Sequence, residues 1–188
     1  MILRRGPSKW VEVIAWDTHR DTFDHGAWFH GRIYQRRSDL SPDGTKLVYF
    51  ASKFTSKTVN DPEYTYAWTA VSKVPYLTAL ALWPKSDCWW GGGLFQDNYT
   101  VFLNHRPSEA TPQYRERFSI EAPVARHPIG LEGVEWVDWD QAGRLAFLRR
   151  GAVWVSTVQR SEIGEPNPLI DLTADQPTRQ TPRWAEAW

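Results

Sequence analysis

Three aspartates, Asp39, Asp87 and Asp138, offer the clearest prospect of acid–base chemistry in this chain. A pair of carboxylates across a cleft can act as general acid and general base on a glycan, and their separation sets the stereochemical course of cleavage. Asp39 and Asp138 each precede a glycine by five residues, at Gly44 and Gly143, so they hold equivalent positions in two similar segments. Equivalent residues more often share one structural duty, here accepting backbone N–H groups at a turn. We therefore expect Asp39 and Asp138 to be structural, with catalytic carboxylates as the alternative.

A second cluster, DTHRDTFDHGAWFH, puts Asp17, His19, Asp21, Asp24, His25 and His30 close together. Imidazole and carboxylate suit a divalent metal, yet no spacing here matches a recognised ligand set. A polar cluster between periodic runs reads instead as a solvated loop, so neither a metal nor any other cofactor is expected. Basic residues gather next, where His30-Gly31-Arg32 leads to Arg36-Arg37, with Lys53 at the far end of the following strand. Arg32 and Lys53 could receive an anionic group. Surface charges with an Arg32–Asp39 ion pair are the plainer reading, and exposed pairs contribute little.

Twelve tryptophans stand out in a chain with one methionine. Trp136, Trp139 and Trp154 sit in a well-formed repeat and are expected in the core. Trp89 and Trp90 differ, because Gly91-Gly92-Gly93 directly after them cannot continue a well-packed strand. One of the two is expected at an exposed loop rim, where an indole can anchor a protein partner or stack on a sugar. The triglycine itself reads as a bend, since no Lys-Ser, Lys-Thr or helix follows to complete a phosphate cradle. Cys88 reads as a small packed residue, and Asn98-Tyr99-Thr100 is a glycosylation sequon only in a secreted chain.

The elements that position these residues are short and β-like. In SDLSPDGTKLVYFAS the segment Ser41-Pro42-Asp43-Gly44 meets the preferences of a type I turn. After it Leu47, Tyr49 and Ala51 point one way while Val48, Phe50 and Ser52 point the other, so both faces of this strand need cover. A second copy can be laid 42 residues on, with Leu82-Trp83-Pro84-Lys85-Ser86 over Leu40 to Gly44 and Trp89 and Trp90 near the strand. A third, Asp138 to Phe147, keeps the Asp-to-Gly spacing and shortens the next step by one residue. Ala152 to Val155 and Leu169 to Thr173 continue it, and Pro182-Arg183-Trp184 opens another unit.

Self-similarity at about 40 to 45 residues with Gly and Pro turns is the signature of propeller blades, which hide both sides of their inner strands. SDLSPDGTKLVYFAS, GRLAFLRRGAVWVST and LIDLTADQPTRQTPRW also resemble the TolB-type propeller repeat, a relative of the tryptophan-aspartate repeats, over about half of the chain. The resemblance implies a fold and no activity, because propellers host unrelated functions.

The expectation is thus an all-β chain: one domain over 1–188, a small β-propeller of about four blades or an incomplete ring. A long loop around 105–130 carries one strand near Arg117 to Glu121, and Trp10 to Trp16 supplies a strand that could complete the unit begun at Trp184. The 22 basic residues match the 22 acidic ones, which disfavours nucleic acid or an anionic membrane. No apolar run reaches the roughly 18 residues of a membrane span. One cysteine and no apolar leader make the cytoplasm the default. The function expected is non-catalytic: a scaffold presenting loops, with Arg32, Lys53, Trp89 and Trp90 at the surface used, to a protein partner, or self-association through an open blade edge. The alternative is a carbohydrate-binding or carbohydrate-cleaving propeller using Asp39, Asp138 and exposed Trp.

Overall fold

The Ser41–Gly44 turn forms as its residue types require. The Gly44 N–H donates to Ser41 O at 2.7 Å, Ser41 N–H donates to Lys46 O at 2.8 Å, and Gly44 takes φ +72°. Asp140 to Gly143 repeats this arrangement: Gly143 N–H donates to Asp140 O at 3.0 Å, and Asp140 N–H to Arg144 O at 2.9 Å. These turns come from a computed structural model, which describes residues 1–60, 65–105, 133–159 and 162–180.

The described chain is all-β apart from a 3-10 turn at Gln35–Arg37 and one short helix, α1 (Ser56–Asn60). No helix among the described residues is long and apolar enough to cross a membrane. The strands up to residue 105 are β1 (Ile2–Arg5), β2 (Trp10–Asp17), β3 (Thr22–His30), β4 (Arg32–Ile33), β5 (Asp39–Leu40), β6 (Lys46–Ser52), β7 (Ala67–Lys73), β8 (Ala79–Lys85), β9 (Gly93–Phe95) and β10 (Val101–Leu103). Beyond residue 132 come β11 (Val134–Trp139), β12 (Leu145–Arg149), β13 (Ala152–Ser156), β14 (Val158–Gln159), β15 (Glu162–Ile163) and β16 (Asn167–Asp171).

The described residues divide into two compact units, one of 1–15, 24–60, 65–105 and 177–180, the other of 16–23, 133–159 and 162–176. In the first, β6 is the central strand. The short strands β4 and β5 both pair with its one edge, β7 pairs with the other, and β8 completes an antiparallel meander. Leu47, Tyr49 and Ala51 meet Val11, Val13, Ile33 and Ala70 on one side. Phe50, on the other, lies under the Tyr34 ring at 5.0 Å and against the backbone of Gly91. Both faces of β6 are buried, and Tyr49 keeps only 3% of its surface. The two-faced apolar pattern of Leu47 to Ser52 therefore does what it demands.

The second unit contains the meander β11-β12-β13-β16, with Phe147 fully buried against Val134, Val137, Trp154, Val158 and Ile163. Its register repeats that of the first. Asp39 and Leu40 lie opposite Val48 and Leu47, as Asp138 and Trp139 lie opposite Ala146 and Leu145. Leu47 then faces Ser72 as Leu145 faces Ser156.

Several expectations need correction. Leu82 to Lys85 belongs to β8 and pairs with β7, so it is not a turn preceding a second inner strand. Pro84 did not stop it, because an outer strand tolerates a residue without an N–H. Residues 17–30 are not a solvated loop: a four-residue turn at 18–21 leads straight into β3, which sits beside β2. Trp136 and Trp139 are not core residues, with 47% and 59% of their surfaces exposed, because β11 is an edge strand. Trp10 to Trp16 forms a strand as expected, in the sheet β1-β2-β3, while the unit at Trp184 that it could complete is not among the described residues. Most of the expected loop at 105–130, its strand near Arg117, and Trp184 lie outside the described residues.

Candidate functional site

One row of paired residues defines the far end of the first meander: Arg32 lies opposite Ser52, Ser52 opposite Ala67, and Ala67 opposite Lys85. This register brings Arg32, Lys53 and the Asp87–Trp90 turn, three segments far apart in the chain, to a single rim. Lys53 extends the ladder by one more bond, its N–H donating to Tyr66 O at 2.8 Å. The Tyr66 hydroxyl donates to Ser86 O at the end of β8, and Phe54 stacks on the Tyr66 ring at 4.7 Å.

Strand alternation decides which side each cation occupies. Arg32 lies on the Phe50 side and Lys53 on the Tyr49 side, so the two flank the rim and do not form one anion pocket. Arg32 stands over the Tyr34 ring at 4.5 Å. Arg37, from the 3-10 turn, lies 5.4 Å from the same ring and 5.5 Å from that of Phe50. Its guanidinium also donates to Cys88 O at 2.7 Å, which pins the turn that carries the two indoles. Sequence reasoning missed Tyr34 here and named Arg37 only as one of a run of basic residues; the Arg-x-Tyr spacing of 32 and 34, which puts both on one face of extended chain, was the available signal.

Asp87 holds that turn by accepting from Trp89 N–H at 3.1 Å and Trp90 N–H at 3.5 Å. Trp89 is 82% exposed and Trp90 partly covered. The triglycine after them is a close backbone approach. A Cβ on Gly91 would fall in the Phe50 ring and one on Gly92 on the Arg37 carbonyl oxygen, while Gly92 N–H donates to the buried Thr69 hydroxyl at 2.8 Å. Glycine lets the chain cross Phe50 closely, and in the strand that follows Leu94 is half exposed between the buried Gly93 and the partly covered Phe95.

The remaining candidates are dispersed. Asp39 accepts from Phe95 N–H at 2.7 Å, joining β5 to β9, and makes no ion pair with Arg32 among the described residues. Asp138 accepts from Trp139 N–H at 2.8 Å. The turn duty expected of both falls instead on neighbours: Asp43 accepts from Thr45 N–H at 3.0 Å, and Asp140 from Ala142 N–H at 3.0 Å and Arg144 N–H at 2.8 Å. The 17–30 cluster is shared among separate tasks. Asp17 accepts from His19 and Arg20 N–H groups, Asp21 binds Arg144, and His30 packs on the Trp10 ring at 4.7 Å. His25 Nδ1 lies 2.9 Å from the buried carboxylate of Glu12, which Arg4 approaches to 3.9 Å.

Arg, Tyr and Trp, three residue types enriched where proteins make contacts, thus stand near one sheet end, whereas Lys is depleted at such contacts. Cation-over-ring packing orients Arg32 and Arg37 on the Tyr34 ring. No family model, no curated protein and no solved structure matches this chain.

Proposed function

We propose that the chain is a non-catalytic scaffold, a small propeller of the TolB type with about four blades or an incomplete ring, that presents the rim of Arg32, Lys53 and Trp89 to a protein partner in the cytoplasm. Two antiparallel meanders, of five and four strands, with one register, and an inner strand buried on both faces, support the blade reading. The observation that carries the functional reading is the convergence of three distant segments on one sheet end, with a largely exposed indole beside ring-bound guanidinium groups.

The rim is favoured over the sheet edges as the contact surface. The outer strands β8 and β16 carry Pro84 and Pro168, the latter beside a register shift, and edges interrupted by proline resist pairing with another strand. That same feature counts against self-association by strand addition. The exposed Trp89, Trp136 and Trp139 keep sugar stacking as the second reading. Asp39 and Asp138 engage backbone N–H groups, which favours their structural role over catalysis.

Affinity purification of the full chain from its native cell at low salt, with crosslinking and mass spectrometry, tests the proposal. One partner should return repeatedly, crosslinked through Lys53 or Lys57, and Trp89→Ala or Arg32→Glu should lose it at an unchanged melting temperature. Recovery of the chain alone, or full retention by both variants, overturns it. Saturable binding on a glycan array would shift the assignment to the sugar reading.

A further inference from the structure

On the Tyr49 side of the first meander, Leu3, Val11, Val13 and Phe29 of the β1-β2-β3 sheet pack against the inner strands. Beyond them, where β7 and β8 extend outward, a pocket of about 280 Å³ opens between Phe29, Trp68, Leu77, Leu82 and Pro84, with Tyr49 among its lining residues. Phe29 and Trp68 meet edge to face at 5.8 Å and 87°, which makes the lining aromatic on one side. The hydroxyls that line it are already engaged within the protein. Tyr49 donates to Leu77 O at 3.3 Å, Thr58 donates to Lys53 O, and Thr65 donates to Ala67 O at 2.8 Å.

From these features we infer a binding site for a small apolar molecule with one or two rings. An occupant meets no unengaged hydroxyl in the described lining, so a polyhydroxylated ligand would lose its hydration with few replacement bonds. An apolar one gains burial and offset or edge-on ring contacts. The space is roughly twice that of the approximately 150 Å³ apolar cavity known to accept benzene, which sets the size of the ligand. This site lies apart from the rim residues Arg32 and Trp89, and the inference does not depend on a partner at that rim.

Fluorine NMR with 4-fluorotoluene and 1-fluoronaphthalene tests the assignment on the full chain. Saturable line broadening is expected for both, and none for 2-fluoro-2-deoxyglucose. Ala79→Phe, which fills the pocket from β8, should weaken binding at least tenfold, as should Leu82→Trp; whichever variant keeps its melting temperature decides. Leu80→Phe, at an exposed position of β8 outside the lining, should leave binding unchanged. Absence of binding to the natural sequence, equal binding by the filled variants, or equal binding of the sugar overturns the inference. So would a concentration-dependent dimer abolished by Ala79→Phe, which would give the pocket to a second copy of the chain.

Discussion

Arg144 grips Asp21 through two parallel hydrogen bonds of 2.7 Å, one from each terminal nitrogen, across 123 residues of sequence. Its Nε donates to Asp140 at 2.8 Å and a terminal nitrogen reaches Thr18 O at 3.1 Å, so one guanidinium ties the tip of the β2–β3 hairpin to the β11–β12 turn. Lysine cannot reproduce that fork. Arg144→Lys should cost about 1 to 2 kcal/mol in urea unfolding, less than a buried pair would, since both partners keep some contact with solvent.

The same contact predicts a pH dependence. The hydrogen bond from Arg144 holds the Asp21 carboxyl below its ordinary range against a smaller opposing effect of burial. A depressed carboxyl contributes stability that is present above its unfolded pKa and lost as pH falls through the folded one. Natural protein should therefore lose stability below about pH 4 more steeply than Asp21→Asn, which lacks the ionisation. Identical acid limbs for the two proteins would refute this origin.

Asp43 should titrate well below the ordinary carboxylate range. The Ser41 hydroxyl, then the Thr45 N–H, hold its carboxyl down to about 2. Carbon-detected NMR of the natural protein should place it there, and Ser41→Ala should move it upward toward the ordinary value. The Ser41 contact is at fault if the variant leaves the titration in place.

Two glycines separate backbone strain from steric exclusion. Gly44 has φ +72° with open space around its Cβ position, so Gly44→Ala should cost about 1 kcal/mol. Gly92 has φ +82° and in addition faces the Arg37 carbonyl, so Gly92→Ala should cost about 2 to 4 kcal/mol. Equal losses in denaturant melts would mean that the chain over Phe50 and Arg37 shifts freely.

Burial, not residue type, should rank the aromatics of the second unit. Phe147→Ala removes a fully buried ring and should cost about 3 to 5 kcal/mol, whereas Trp139→Ala, 59% exposed, should stay within about 0.5 kcal/mol. A large loss at Trp139 would place it under cover in solution.

Local chemistry was legible before any coordinates. Ser-Pro-Asp-Gly set its turn, and the doubly apolar run Leu47 to Ser52 announced an inner strand. Asp39 and Asp138 announced a shared ladder position, because each of these depends on the steric and hydrogen-bonding preferences of a few adjacent residues. The copy laid on Leu82 to Ser86 failed because a proline marks a turn and an outer strand equally well. The rim was legible in part: Arg32, Lys53 and Trp89 were named, but not that the first two face opposite sides of the sheet, nor that Arg37 holds the indole turn.

By itself the amino-acid order determined an all-β chain with repeating strand–turn segments, since alternation and turn preference are written into neighbouring residues. Tertiary structure alone decided which tryptophans are buried, what each aspartate binds, and where the pocket beside Trp68 opens. Those outcomes depend on which distant segments exclude water from a given side chain, and exclusion of water is a property of packed surfaces rather than of any short stretch of sequence.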